Sequence, residues 1–332
     1  MKKLIFFLVF FLIGIVIFYW TIDHIGFQEL KKAFAVLSCW QGVLILGLTV
    51  SSVLVGIWKW RELLKVEGVI IPFRSLSKYY LSSLSVAFFF PQVILGAEIS
   101  RGYLLREKSA VPGLKGIASA LTDRILETTI FLIIIFFGVL NLFLKIGFHS
   151  TKLTLVAGVI FLILVLITIL FYFKGFKKES IVKFIVGGNP RKLLEIEREM
   201  FTFLKPKKLL MLKIFSLNVL KATIAILRVW LLVIFLGKNI GFMTAVTILG
   251  FSYMAFLIPI PASLGSHEAA QVFVFNSLNL GAGAAPVFTM AIRVMDLTMA
   301  LIGAIIFFRL GITLAKNTLY KKIDSFAENY DA

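Results

Sequence analysis

The chain alternates between long apolar runs and short basic connections. The runs at about 4–22, 40–58, 117–144, 153–173, 214–236 and 286–308 each approach or exceed the roughly 20 apolar residues that carry a helix across a bilayer. Two other apolar stretches are interrupted, 79–95 by Pro91 and 241–280 by Pro259 and Pro261. Proline has no N–H to donate and clashes with the turn before it, so each stretch is predicted to break there. Tyr79 to Phe90 amounts to roughly 18 Å of helix, about half a bilayer. Trp40 and Trp58 bracket the second run as interface anchors.

The basic connections set an orientation. Lys2 and Lys3 hold the start inside, and the run that follows is expected to be an uncleaved first span rather than a signal peptide. Residues 59–78 carry Lys59, Arg61, Lys65, Arg74 and Lys78 against Glu62 and Glu67, which marks a cytoplasmic connection. Residues 174–213 hold eleven Lys/Arg against four Glu and contain the turn Gly187-Gly188-Asn189-Pro190, the expected boundary between halves. Arg101, Arg106, Lys108 and Lys115 follow the first broken stretch, so 79–95 is expected to dip in from the cytoplasm and return. The second broken stretch, re-entrant or two short spans, would enter from the opposite side. Both termini are then cytoplasmic, in the cytoplasmic (inner) cell membrane.

Composition agrees. The sequence is 60% hydrophobic and 16% charged, with a mean hydropathy of +0.98. These values point to an all-α polytopic integral membrane protein, and the continuous runs argue against a barrel. The net charge of +18 lies in the connections, so it is assigned to topology and to anionic lipid surfaces, not to nucleic acid. The 34 phenylalanines are most simply lipid-facing bulk. Cys39 is single, and His24, His149 and His267 are scattered, so neither a disulfide nor a metal centre is expected. No phosphate-binding loop or nucleophile elbow is present, and no cofactor is expected.

The two broken stretches resemble each other. Pro91 with Gly96, Glu98 and Arg101 is matched by Pro261 with Gly265, Ser266, His267 and Glu268. An Arg-x-x-acid pair follows each, Arg124 with Glu127 and Arg293 with Asp296, 33 residues after Pro91 and 32 after Pro261. One transmembrane domain over 1–332 is therefore expected to hold a first pseudo-repeat at 40–145 and a second, inverted one at 209–310, joined across the basic connection 174–213. Inverted repeats with interrupted helices are the pattern of alternating-access transporters.

Charge within apolar helix costs a few kcal/mol and must face protein, water or a partner. Arg124 with Glu127, and Arg293 with Asp296, are i, i+3 and so are expected to pair within their helices, either as structural locks or as switchable phosphate sites. Gly96 and Gly265 allow sharp turns, and the helix ends restarting there present N–H groups to an anion. Ser266 is expected as an N-cap. Glu98 and Glu268 cap helices, read a cationic head group or couple protons. His267 is either a solvated loop residue or a proton relay. Lys221 and Arg228, i, i+7 on one face, are expected to snorkel towards the cytoplasm and to line a cavity, respectively.

Phe90-Pro91, Gly96-Ala97-Glu98, Arg101-Gly102-Tyr103-Leu104-Leu105 and Asp123-Arg124 resemble the first motif block of the lysylphosphatidylglycerol synthase transmembrane (flippase-like) family. Pro259-Ile260-Pro261, Gly265-Ser266-His267-Glu268 and Arg293 resemble its second block, although Ala262-Ser263-Leu264 stands where that family is richer in glycine. The resemblance spans roughly residues 80–310 and implies a domain that moves lipids between leaflets, notably aminoacylated phosphatidylglycerol. It covers the membrane half only. The soluble aminoacyl-transfer domain of full-length synthases is not expected within these 332 residues.

The expected function is an ATP-independent lipid transporter for an anionic or aminoacylated phospholipid or a lipid-linked head group. Arg101, Arg124, Arg293, Gly96, Gly265 and Ser266 are its candidate substrate-binding residues. Asp123, Glu127, Asp296, Glu98 and Glu268 are the candidates for charge selectivity or coupling, and no catalytic residue is assigned. The alternatives are a membrane-embedded transferase using Glu98 or Glu268 as base, and a non-catalytic partner of a separately encoded lipid-modifying synthase. Expected partners are membrane lipids, with a homo-oligomer left open.

Overall fold

A computed structural model describes residues 40–89, 96–146, 191–203, 208–258, 263, 265–281 and 283–328, with isolated positions 31, 35, 159, 162 and 166. The expected spans at 4–22 and 153–173, the turn at 187–190, and Pro91, Pro259 and Pro261 lie outside the described residues. Within them the chain is all helix: α1 Trp40–Val66, α2 Phe73–Phe89, α3 Gly96–Ser109, α4 Gly113–Ile146, α5 Arg191–Phe203, α6 Lys208–Phe235, α7 Phe242–Phe256, α8 Ser266–Ser277 and α9 Ala284–Glu328.

Among the described residues, four stretches are long and apolar enough to cross a membrane: Trp40–Val66, Gly113–Lys145, Leu209–Phe235 and Ala284–Ile312. The shortest of these, at 27 residues, is about 40 Å long, more than the roughly 30 Å of bilayer hydrocarbon. The expected runs at 40–58, 117–144, 214–236 and 286–308 are there, but the helices begin earlier or end later than hydropathy alone suggested. α1 continues through Lys59 and Arg61 to Val66 before Gly68 (φ 70°) ends it. Val69 N–H reaches back to Leu64 O at 3.1 Å and Gly68 N–H to Lys65 O at 3.1 Å, a glycine-terminated helix end. The 17 residues of α2 and 14 of α3 fall short of a full crossing.

Packing pairs α1 with α6, α2 with α9, and α4 with α7; α3 sits against α2 and α4, and α8 against α7 and α9. Small residues let backbones close where apolar lipid supplies no hydrophobic drive between helices. A Cβ added at Gly250 of α7 would stand 3.1 Å from Ile134 O of α4, and one at Gly303 of α9 would run into Leu81 O of α2. Two apolar clusters fill the interior, one around Ile135, Leu232, Phe275 and Phe288, the other around Trp60, Leu76, Leu105 and Phe203. Outward faces stay apolar, as at Leu54, Ile133, Phe137, Ile302 and Ile305, which suits a lipid environment and not water.

Candidate functional site

The first concentration of charge lies where α1, α3, α4 and α6 converge. Lys59 Nζ meets Asp123 Oδ1 at 2.9 Å and Glu127 Oε2 at 3.8 Å, and donates to Asn218 Oδ1 at 2.9 Å. Asp123 Oδ2 also takes Arg101 Nη1 at 3.0 Å. Lys221 Nζ closes on Glu127 Oε1 at 2.5 Å and donates to Tyr80 Oη at 3.3 Å. The Arg101 guanidinium lies over the Tyr80 and Trp60 rings at 4.2 and 5.2 Å, and its Nε donates to Ser83 Oγ at 2.8 Å. Lys59 and Asp123 are essentially inaccessible, at 0% and 1%. Burial that deep is costly unless every charge is partnered, and the geometry supplies the partners.

The second concentration joins α6, α8 and α9. Arg228 Nη1 meets Asp296 Oδ1 at 2.7 Å and donates to Thr49 Oγ1 at 3.3 Å. Arg293 Nη1 meets Glu268 Oε1 at 2.6 Å and its Nη2 donates to Ser263 O at 3.4 Å. Glu268 Oε2 accepts from Gly265 N–H at 2.8 Å, so Glu268 caps α8 while holding Arg293. Gly265 has φ 76°, open to glycine, and is itself the N-cap. Gln271 donates to Ser252 Oγ at 2.8 Å and Ile248 O at 3.0 Å.

Between these groups lies a cavity of about 240 Å³, room for roughly eight waters at about 30 Å³ each. Its walls carry Thr49, Ser52 and Leu84; Glu127 and Ile130; Asn218, Lys221 and Arg228; Tyr253; and Asp296 and Met299. Many of these come in pairs 169 residues apart: Thr49 with Asn218, Ser52 with Lys221, Leu84 with Tyr253, Glu127 with Asp296, and Ile130 with Met299. Bonds obey the same spacing. Lys59 donates to Asn218, and Arg228, 169 residues after Lys59, donates to Thr49, 169 before Asn218.

The structure redistributes the expected site. Glu127, Asp296 and Arg228 line the cavity. Arg101 and Asp123 are buried beside it, and Arg124, Arg293, Glu98, Glu268, Gly96, Gly265 and Ser266 do not line it. The expected i, i+3 pairs give way to pairs between helices: Arg124 Nε faces Glu98 Oε1 at 4.0 Å, Arg293 goes to Glu268, and the two acids go to Lys59, Lys221 and Arg228. A neighbouring helix offers a straighter approach than the same helix three residues on. Ser266 is the first helical residue and not the cap, donating to Ser263 O at 3.1 Å and Ala255 O at 3.3 Å. His267 is buried, against the solvated expectation, sharing a 3.1 Å hydrogen bond with Ser252 and packing on Phe256. Lys221 does not snorkel; Glu127 and Tyr80 hold it inside. Lys59 was missed, having been counted as a loop charge. Its signal was available, because Lys59 precedes Glu127 by 68 residues and Arg228 precedes Asp296 by 68.

Long apolar helices converging ion pairs on an interior cavity define a multi-pass helical membrane protein. Residues 7–303 match the family model of the lysylphosphatidylglycerol synthase TM region, and the chain belongs to that family. It is similar to a protein named UPF0104 membrane protein MJ1595 from Methanocaldococcus jannaschii, with 23% identity over 267 residues, 76% of this chain and 78% of that one. No solved structure matches it.

Proposed function

We propose that the protein is an ATP-independent lipid transporter, passing a phospholipid or lipid-linked head group between leaflets of the cell membrane through the central cavity. The observation that carries this reading is the pair of partly accessible ion pairs on the cavity wall, Lys221–Glu127 and Arg228–Asp296. A cation already held by a carboxylate can exchange it for a phosphate, so the cavity is neutralised whether loaded or empty. Arginine suits this exchange because its planar fork matches phosphate oxygens. The acyl chains would stay against the outward apolar faces while the head group crosses.

The 169-residue spacing supports two pseudo-repeats, 40–145 and 209–310, related by a pseudo-twofold axis through the cavity. That axis exchanges the α2–α9 contact with the α7–α4 contact and α1 with α6. With the basic connection cytoplasmic, both termini are cytoplasmic and the repeats are inverted, the arrangement used for alternating access. Arg124 with Glu98 and Arg293 with Glu268 would tie each broken segment to its long helix and release as a phosphate passes. Arg101 and Asp123 would fix the wall behind.

The test is leaflet accessibility of fluorescent lipids in proteoliposomes, comparing phosphatidylglycerol, its lysyl form and a polyprenyl phosphate. Wild type moves at least one class, and Arg228→Gln slows that movement by about tenfold or more, the loss of one charged hydrogen bond. Equal rates for folded Arg228→Gln and wild type would end the proposal, as would no movement of any class.

A further inference from the structure

The cavity pairs are not all equivalent. Thr49 with Asn218 conserves polarity and Glu127 with Asp296 conserves charge, but the counterpart of Lys221 in the spacing is the uncharged Ser52. Lys221 is the cation that breaks the symmetry. Its effect follows along the chain of contacts Arg101, Asp123, Lys59, Glu127, Lys221, in which positive and negative groups alternate and both ends are positive. One end, Arg101, is sealed under the Tyr80 and Trp60 rings. The other end opens on the cavity. Adding Arg228 and Asp296, the cluster holds four cations and three anions among the described residues. The flanking pairs Arg124–Glu98 and Arg293–Glu268 are neutral and leave that surplus unchanged.

One surplus positive charge in a low-dielectric interior is expensive, and a bound anion removes the cost. From this we infer that the cavity is a site for a single phosphodiester monoanion, with Lys221 Nζ as its direct contact and Tyr80 Oη and Asn218 beside it. This rests on the transporter reading for the source of the anion, but not for the anion site. Tyr80 Oη accepts from Lys221 at 3.3 Å, leaving its own proton to donate to a phosphate oxygen. Arg228, two turns further along α6, lines the same cavity. A zwitterionic head group with no net charge would leave the surplus in place and bind less well.

The test uses the purified full chain in neutral detergent and three soluble probes: dihexanoyl phosphatidylglycerol, dihexanoyl phosphatidylcholine and inorganic phosphate. Wild type is expected to bind the glycerol lipid about tenfold more tightly than the choline lipid. Lys221→Gln abolishes that preference and Lys221→Arg restores it, which a merely structural lysine would not require. A folded Lys221→Gln protein that keeps the preference overturns the inference. So does a wild type that shows no preference, a result that holds even if the glutamine variant does not fold. Inorganic phosphate binding as tightly as the glycerol lipid keeps the anion site and counts against the lipid source. Tight binding through Lys221 without leaflet movement would sink the transporter reading alone.

Discussion

The two concentrations of charge occupy equivalent places in the 169-residue spacing yet are built differently. Around Ser83, Arg101 reaches across to Asp123. Around Ser252, 169 residues later, Gln271, one residue past the counterpart of Arg101, makes the bond to the serine, and buried Ile292 takes the place of Asp123. Ser252 still receives its hydrogen bond, but the charges are gone. The remaining acids differ too: Glu127 is 13% exposed with two cations against it, Asp296 35% exposed with Arg228 as its ion-pair partner. Asp123 and Glu127 on one side are each held by two cations, whereas Asp296 on the other meets Arg228 at the cavity wall. The Arg101–Asp123–Lys59 end of the first side behaves as scaffold; of the two pairs on the cavity wall, Lys221–Glu127 and Arg228–Asp296, the second parts at least cost.

That contrast can be broken most sharply at Asp123. Asp123→Ala strands Lys59 and Arg101 without their shared acid and should cost about 3–5 kcal/mol, read as a large fall in Tm in detergent. If stability barely moves, the locked description is wrong. Asp296→Asn should cost less, about 1–2 kcal/mol, because Arg228 keeps Thr49 and access to water, while lipid movement falls strongly. A chain that tolerates Asp123→Ala better than Asp296→Asn would reverse the comparison. Next comes transplantation of the first arrangement into the second. Ile292→Asp alone should destabilise, and adding Gln271→Arg should recover part of the loss, a coupling of about 0.5–3 kcal/mol in a double-mutant cycle. Additive losses would show that the two sites are not equivalent. The smallest effect belongs to Ser52→Ala, expected within about 0.5 kcal/mol, since no charge depends on that hydroxyl.

Much of this was legible in the chain. Apolar runs marked α1, α4, α6 and α9, the prolines marked where α2 and α7 give out, and the spacing from Pro91 to Arg124 and Pro261 to Arg293 pointed to the proposed internal repeat. Partners were not legible. The i, i+3 rule names who can meet on one helix, but buried carboxylates are claimed by whichever cation has the better approach, and here those come from α1 and α6. Lys59 shows why hydropathy misleads at a helix end. Four charges within seven residues lower the local average, yet only Lys59 and Glu62 of that group turn fully inward. His267 was misjudged because flanking prolines and glycine signal a loop, whereas the helix begins one residue earlier and carries the ring into the core.

Gly303 against Leu81 and Gly250 against Ile134 have a mechanical meaning. Backbones in such contact cannot slide without collision, so α2 with α9 and α4 with α7 form two stiff members. Each stiff member borrows one helix from either side of the 169-residue spacing. Between the two pairs runs the packed seam of α1 and α6, spanned by the reciprocal bonds Lys59 to Asn218 and Arg228 to Thr49. Sliding within either strut is thus blocked by backbone, while parting α1 from α6 would break two polar bonds that each tie one half of the chain to the other.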